Sequence, residues 1–305
     1  MIKKILPLLL LISNITFAQD VRIELDLDAA ANKEVFLAHY YISNIYVDDT
    51  VKLDANGYGI LTRDSILPQG LYKIYMDDKN HFDFLLGADQ TFKLTNNTFD
   101  SQNIKIEGAT ETDEFVKYVV FLKGMQKRSA EIREQLKTAK GAESQKLKDE
   151  MSALNPKMKD YWNSVAAKYP NTFLAKFLLS NHVPALDIST LPKSIQENDS
   201  LLLRARFDYQ KVHFWDNFDY KDERFLYTPL LKPKLETWFT KALYQNYDSL
   251  KDDVFRFIED VRPKKRIFQY VTSFFLNASV NSNIMGMTTA RAMLLGSRRI
   301  CRVSL

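Results

Sequence analysis

The chain has 305 residues, with 42 lysines and arginines against 38 aspartates and glutamates, and one cysteine, Cys301. A lone cysteine excludes an intramolecular disulfide and a C-x-x-C redox or metal pair within this sequence, while the length suffices for a core without such staples, as one large or two ordinary domains. The small positive charge resides at the ends, in Lys3, Lys4, Arg291, Arg298, Arg299 and Arg302. The body is near neutral and offers no electrostatic footprint for nucleic acid.

Met1 to Ala18 carries Lys3 and Lys4, an apolar run from Ile5 to Ile12, and Thr16-Phe17-Ala18 with small residues at the last and third-last positions. That is the pattern of a secretory signal peptide over residues 1–18, with Gln19 as the first mature residue. The run is shorter than the roughly 20 apolar residues of a spanning helix, and no second candidate follows, so no transmembrane segment is expected.

Residues 19–108 read as short strands. Val21, Ile23, Leu25 and Leu27 alternate with charged residues, as a half-buried strand requires. Val35 to Ile42 follows, then Val51 and Leu53, the turn Asn56-Gly57, and Tyr58, Ile60 and Thr62, which together predict a β-hairpin. Leu71 to Met76, Phe82 to Leu86, Thr91 to Thr95 and Ile104 to Glu107 complete the series, separated by Pro68-Gln69-Gly70, Asp77 to Asn80, Gly87-Ala88-Asp89 and Asn96-Asn97. Strands this short and regularly spaced suggest an antiparallel β-sandwich.

Near Glu111 the period changes from two to between three and four. Phe115, Tyr118, Val119, Leu122, Met125, Ile132 and Leu136 mark one amphipathic helix, with Thr112 as its expected cap. Leu147, Met151, Leu154, Met158, Tyr161 and Val165 mark a second, which Pro156 should kink or split. The two are expected to form an antiparallel helical hairpin. Shorter helices are expected over Phe173 to Asn181, from a cap at Asp199 to about Asp219 with Leu203, Phe207, Phe214 and Phe218 on one face, and over Pro229 to Tyr247, Asp248 to Val261 and Pro263 to Asn277. The expected fold is therefore α+β with segregated parts, an antiparallel β-sandwich followed by an all-helical domain over 109–285. Residues 286–305 form an atypical tail, rich in arginine and free of lysine and acid, whose composition fits a truncated or frame-shifted end.

No catalytic constellation can be assembled. G-x-S-x-G, Walker A and dinucleotide fingerprints do not occur in the sequence, and His39, His81, His182 and His213 lack metal-ligand spacing. No cofactor and no metal is expected. Asp54-Ala55-Asn56-Gly57 lacks the oxygen ligands of a calcium loop and reads as a turn. Phe214, Trp215, Phe218 and Tyr220 are the residues expected to line a ligand groove, since aromatics with a few polar groups are what such grooves use. Arg262-Pro263-Lys264-Lys265-Arg266 could hold an anion at a helix start.

The segment from Tyr40-Tyr41 through Asp54-Ala55-Asn56-Gly57-Tyr58, with Gly70-Leu71-Tyr72 and Phe84-Leu85-Leu86, resembles the N-terminal β domain of secreted thioredoxin-like oxidoreductases of Bacteroidota-type bacteria. Lys168 to Lys176, Arg206-Phe207-Asp208-Tyr209, Phe214 to Phe218 and Asn283 to Met287 are similar to their helical middle region. The resemblance implies the periplasm or cell envelope of a Gram-negative bacterium, and a thiol-disulfide oxidoreductase whose catalytic Cys-x-x-Cys domain has no counterpart in this chain. The expectation is a noncatalytic accessory region, inactive without that redox domain, positioning a protein substrate or partner. The alternative is a stand-alone periplasmic ligand- or protein-binding module using the aromatic groove.

Overall fold

The computed structural model describes residues 21–280, so the signal-peptide segment 1–18, the tail 286–305 and Cys301 lie outside the described residues. All strands precede the long helices. They are β1 (Val21–Asp26), β2 (Glu34–Tyr41), β3 (Asn44–Lys52), β4 (Tyr58–Arg63), β5 (Gly70–Tyr75), β6 (His81–Leu86), β7 (Thr91–Thr95) and β8 (Lys105–Glu107). They build two four-stranded sheets with orders β4-β1-β7-β8 and β3-β2-β5-β6. Alternation decides the faces: Val21, Ile23 and Leu25 are buried while Arg22, Glu24 and Asp26 are not. Each such buried aliphatic side chain is worth about 1.5–3 kcal/mol.

Two expectations for this half are corrected. The turn at Asn56-Gly57 forms as read, with Gly57 at φ 76° and Asp54 Oδ1 accepting from the Asn56 and Tyr58 N–H groups at 2.8 and 2.9 Å. Its flanking strands do not form a hairpin ladder: β3 pairs with β2, and β4 pairs with β1 in the other sheet. The turn is a corner between sheets. A side chain at Gly57 would meet the Leu27 carbonyl oxygen at 2.4 Å, and Leu27 N–H donates to the Gly57 carbonyl at 2.9 Å, so the corner is clamped to the end of β1. Nor is the pairing wholly antiparallel, because β1 lies parallel to β7. A parallel pair needs a long crossover, and here the intervening chain supplies the whole second sheet.

The helices follow: α1 (Thr110–Leu136), α2 (Gly141–Lys168), α3 (Phe173–Leu179), α4 (Lys193–Gln196), α5 (Asp199–His213), α6 (Leu231–Thr237), α7 (Tyr247–Val261) and α8 (Lys265–Val280). The class is α+β. α1 and α2 run antiparallel, with Tyr118 beside Tyr161 and Arg128 gripping both oxygens of Glu150 at 2.6 and 2.7 Å. Thr112 is not the cap of α1. Ala109 holds that place and Thr112 is buried inside the first turn. Pro156 does not split α2, which runs unbroken through it. The ring faces solvent while Leu154 and Tyr161 on either side pack inward, so tertiary packing outweighs the lost hydrogen bond.

α5 starts one residue earlier in its capping than expected, on the Asn198 side chain, and ends at His213. Leu203 is 69% exposed and so departs from the expected apolar face, whereas Phe214 and Phe218 lie beyond the helix in the core. The helix expected over Pro229 to Tyr247 is α6 followed by a π-helical turn, Trp238–Ala242.

One apolar cluster joins both sheets, drawing Ile23 and Leu25 from one and Leu37, Ile74 and Phe84 from the other. A second fills the helical half and takes Leu71 and Leu85 from β5 and β6 and Ile42 from the turn after β2. The halves are thus keyed into each other. A small third cluster, Ile132, Leu147 and Leu154, holds the far part of the α1–α2 hairpin.

Candidate binding cleft

The β2–β3 turn, Ile42-Ser43, is the lip of a cleft of about 870 Å³. Ile42 has φ 59°, a left-handed backbone that a β-branched residue adopts only under strain. Two contacts hold it there: its side chain is buried in the helical core, and its N–H donates to the Leu226 carbonyl at 2.7 Å. Beyond the turn, Asn44 and Tyr46 of β3 continue the same lip.

The opposite wall is helical. Tyr270, Ser273, Phe274, Asn277 and Ala278 recur at three- and four-residue intervals and form one face of α8. Lys232 and Glu236 of α6, 4.0 Å apart, and Phe239 and Thr240 of the π turn close the end. Gln245 braces that turn, its Nε2 donating to the Phe239 and Leu243 carbonyls at 2.9 Å each. A π turn is a rare irregularity that recurs at functional sites. With Ile42 it places two backbone irregularities in the lining of one cleft.

Burial pushes the Tyr270 phenol up, with Glu236 and Tyr41 adding to the effect, so it stays a neutral donor at physiological pH. Beside the lip, the Arg266 guanidinium lies 5.8 and 5.1 Å from the Tyr41 and Tyr227 rings and donates to Tyr227 Oη at 2.8 Å. A volume of this size, aromatic walls and a few amides and hydroxyls suit a neutral or weakly charged organic ligand. A smaller cleft of about 400 Å³ lies between Val183–Leu186 and the Arg206, Tyr209 and Gln210 side of α5.

The groove expected at Phe214, Trp215, Phe218 and Tyr220 is core packing instead. Phe214 and Phe218 are 2% exposed, and Trp215 packs against Trp238 and Phe257 with ring centroids 5.8 and 5.2 Å away. Tyr220 packs on Phe257 at 4.5 Å and donates to Asp260 at 2.5 Å. None of the four lines either cleft. Their neighbourhood in sequence was legible, but their partners in α6, the π turn and α7 were not.

The histidines are dispersed: His39 pairs with Asp48 at 2.8 Å, His81 with Lys73 at 3.1 Å, His182 with Asn217 at 3.1 Å and His213 with Asp216 at 2.7 Å. Among the described residues no group of three His, Cys, Asp or Glu could hold a metal ion. No described helix is long and apolar enough to cross a membrane. At the start of α8 the anion position is taken by a protein carboxylate, Glu223, which accepts from the Arg266 N–H at 3.3 Å.

A polar junction escaped the sequence reading. Glu111 is 7% exposed and accepts from the Ala88 N–H at 3.2 Å and the Leu174 N–H at 3.0 Å, tying the strand half to α1 and α3. Nearby, Lys176 and Arg224 share Asp222, and Arg224 also reaches Gln69 at 2.8 Å. Burial opposes the charge on Asp222, but the hydrogen bonds from Arg224 and Lys176 outweigh it and bring the carboxyl down to about 2. The signal in the sequence was a glutamate placed at the change of period, which reads equally well as an exposed first-turn acid.

No family model, no curated protein and no solved structure matches the chain.

Proposed function

We propose that the protein is a noncatalytic binding module whose ligand surface is the cleft between the β2–β3 lip and α8. One observation carries this reading: a cleft of about 870 Å³ lined by Tyr46, Tyr270 and Phe274, with strained Ile42 at its lip and a π turn closing its end. Irregular backbone held in place by its surroundings is what binding sites accumulate. The shared apolar cluster supports reading the two sheets as a β-sandwich, a rigid base for the lip. Tyr46→Ala and Tyr270→Ala, each tested by calorimetry against a panel of short aromatic peptides and oligosaccharides, should weaken binding about tenfold or more, the 1.4 kcal/mol equivalent of one good contact. Binding that neither substitution changes would defeat the reading.

The second reading makes this module the front portion of an exported thioredoxin-like oxidoreductase in a Gram-negative envelope, offering a protein substrate to a redox domain encoded further on. The keyed halves and the Glu111 junction favour it, because a positioning device must be stiff. It predicts that the locus continues into a Cys-x-x-Cys domain. Sequencing through and past the Leu305 codon decides it, and a clean stop followed by unrelated sequence counts against it.

A further inference from the structure

We infer that the ligand of the cleft is a neutral oligosaccharide of two or more pyranose rings, one stacked on Tyr46 and another on Tyr270 and Phe274, with hydroxyls held by Gln245 and Asn277. This rests on the cleft being the binding surface, and goes beyond it in naming the chemical class of the occupant.

Tyr46 lines the cleft and is 48% exposed, yet its ring is braced. It stacks on the His39 imidazole with centroids 5.8 Å and planes 27° apart, Tyr41 meets it edge-on at 6.4 Å, and Asn44 Nδ2 donates to its hydroxyl at 3.4 Å. His39 is fixed in turn by Asp48 at 2.8 Å and by the Tyr227 ring at 5.4 Å. A half-exposed ring adds little burial to the fold, and holding it still lowers the ordering cost of any ligand that stacks on it. Tyr270 and Phe274, one turn apart on α8 with centroids 6.4 Å apart, give the lining a second aromatic position.

Charge and hydrogen bonding select what stacks there. The lining holds one cation and one anion, Lys232 and Glu236, and they pair with each other at 4.0 Å. Arg266, beside the lip, is engaged by the Tyr41 and Tyr227 rings and by the Tyr227 hydroxyl. A phosphate or carboxylate finds no unopposed cation, which disfavours nucleotides and acidic glycans. A peptide strand is no better served, because Ile45 and Val47, whose backbone groups point away from β2, do not line the cleft. The lining offers neutral side chains instead. The Asn277 amide is exposed and has no partner among the described residues, while Gln245, whose Nε2 serves the Phe239 and Leu243 carbonyls, keeps Oε1 free to accept. A pyranose joins an apolar C–H face, which suits an aromatic ring, to a rim of hydroxyls that each donate and accept, which suits amides. The volume of about 870 Å³ lies high in the range of roughly 300–1,000 Å³ for ligand sites and exceeds what a single ring fills.

The experiment presents the full chain to an array of neutral hexose and N-acetylhexosamine oligosaccharides beside sialylated and sulfated ones, followed by calorimetry on the tetrasaccharide and monosaccharide of the neutral series that binds best. The expected result is saturable binding of a neutral chain, about tenfold or more tighter for the tetrasaccharide than for the monosaccharide. Tyr46→Ala should lose about tenfold or more and Asn277→Ala a smaller factor, while Tyr46→Phe, which keeps the ring, binds as the unaltered chain does. Tyr46 and Asn277 are both exposed, so these variants keep the fold, and circular dichroism checks that they do. Binding confined to charged glycans, equal affinity for the two lengths, or neutral binding that Tyr46→Ala leaves unchanged overturns the inference. If aromatic peptides bind, no glycan does, and Tyr270→Ala abolishes the peptide binding, the oligosaccharide falls while the cleft reading stands. Binding of no ligand of any class defeats both.

Discussion

Glu111 Oε2 accepts the backbone N–H of Leu174 at 3.0 Å, 63 positions further along the chain, while Oε1 takes the Ala88 N–H at 3.2 Å. One carboxylate therefore satisfies two donors from segments that meet only in the folded protein. The loop at Gly87 closes over it so tightly that an added Cβ would lie 2.7 Å from the carboxyl group. Removing the acceptor leaves both N–H groups without a partner, at a cost of about 1–3 kcal/mol each. Glu111→Ala should therefore lower the unfolding free energy by about 2–5 kcal/mol, and Glu111→Gln, which keeps one acceptor, by less. Urea unfolding checks the order; equal losses would show that the position needs the carboxylate itself and that neither the one retained acceptor nor the retained side-chain volume is of use there.

Lys234 tests the helical core through pH. Its Nζ donates to the Ser180 carbonyl at 2.9 Å and stands 5.3 and 5.5 Å from the Phe214 and Phe218 rings. Burial pushes its pKa down to about 8 from an ordinary 10.5. Between those values the unfolded chain binds more protons than the folded one, so stability rises with pH across that window. Below pH 8 the charge is held in both states and the desolvation cost is in full force. Lys234→Met should raise the melting temperature at pH 7, and the gain should shrink as pH climbs from 8 toward 10.5. A gain that stays constant with pH would mean that packing, and not charge, was altered.

Pro156 sits in the exposed middle of an unbroken α2. Proline inside a helix costs about 3 kcal/mol relative to alanine, part of which the neighbouring turns absorb by bending. Pro156→Ala should stabilise the chain by about 1–3 kcal/mol, read as a shift of the denaturation midpoint. Destabilisation would show that a bend at this position is needed for Leu154 and Tyr161 to reach α1.

Trp215 separates the binding hypotheses. Because it packs against Phe218, Trp238 and Phe257, Trp215→Ala should cost about 3–5 kcal/mol of stability, as large aromatic truncations do. Thermal melting of the variant reads this directly. A fully stable Trp215→Ala protein that has lost ligand binding would return the aromatic segment to the groove role the sequence suggested.

Local sequence determined the elements. The alternation of Val21, Ile23 and Leu25 suffices for a strand, the spacing from Leu147 to Val165 for a helix, and Asn56-Gly57 for a tight turn, because each depends on residues within one or two turns of chain. The change of period near Glu111 also separates strands from helices at the right place. Pairing was a different matter. That β4 joins β1 and not β3, and that β1 lies parallel to β7, follows from burying two faces at once, which no window of sequence contains. The same holds for the site. Tyr46 and Tyr270 stand more than two hundred positions apart and become facing walls only when α8 docks beside the β2–β3 lip. Trp215, which has the composition of a groove, is drawn into the core by Trp238 and Phe257. Short-range propensity settles what each segment becomes, while burial and hydrogen-bond satisfaction across the whole chain settle where it lies and which of its side chains remain free to bind.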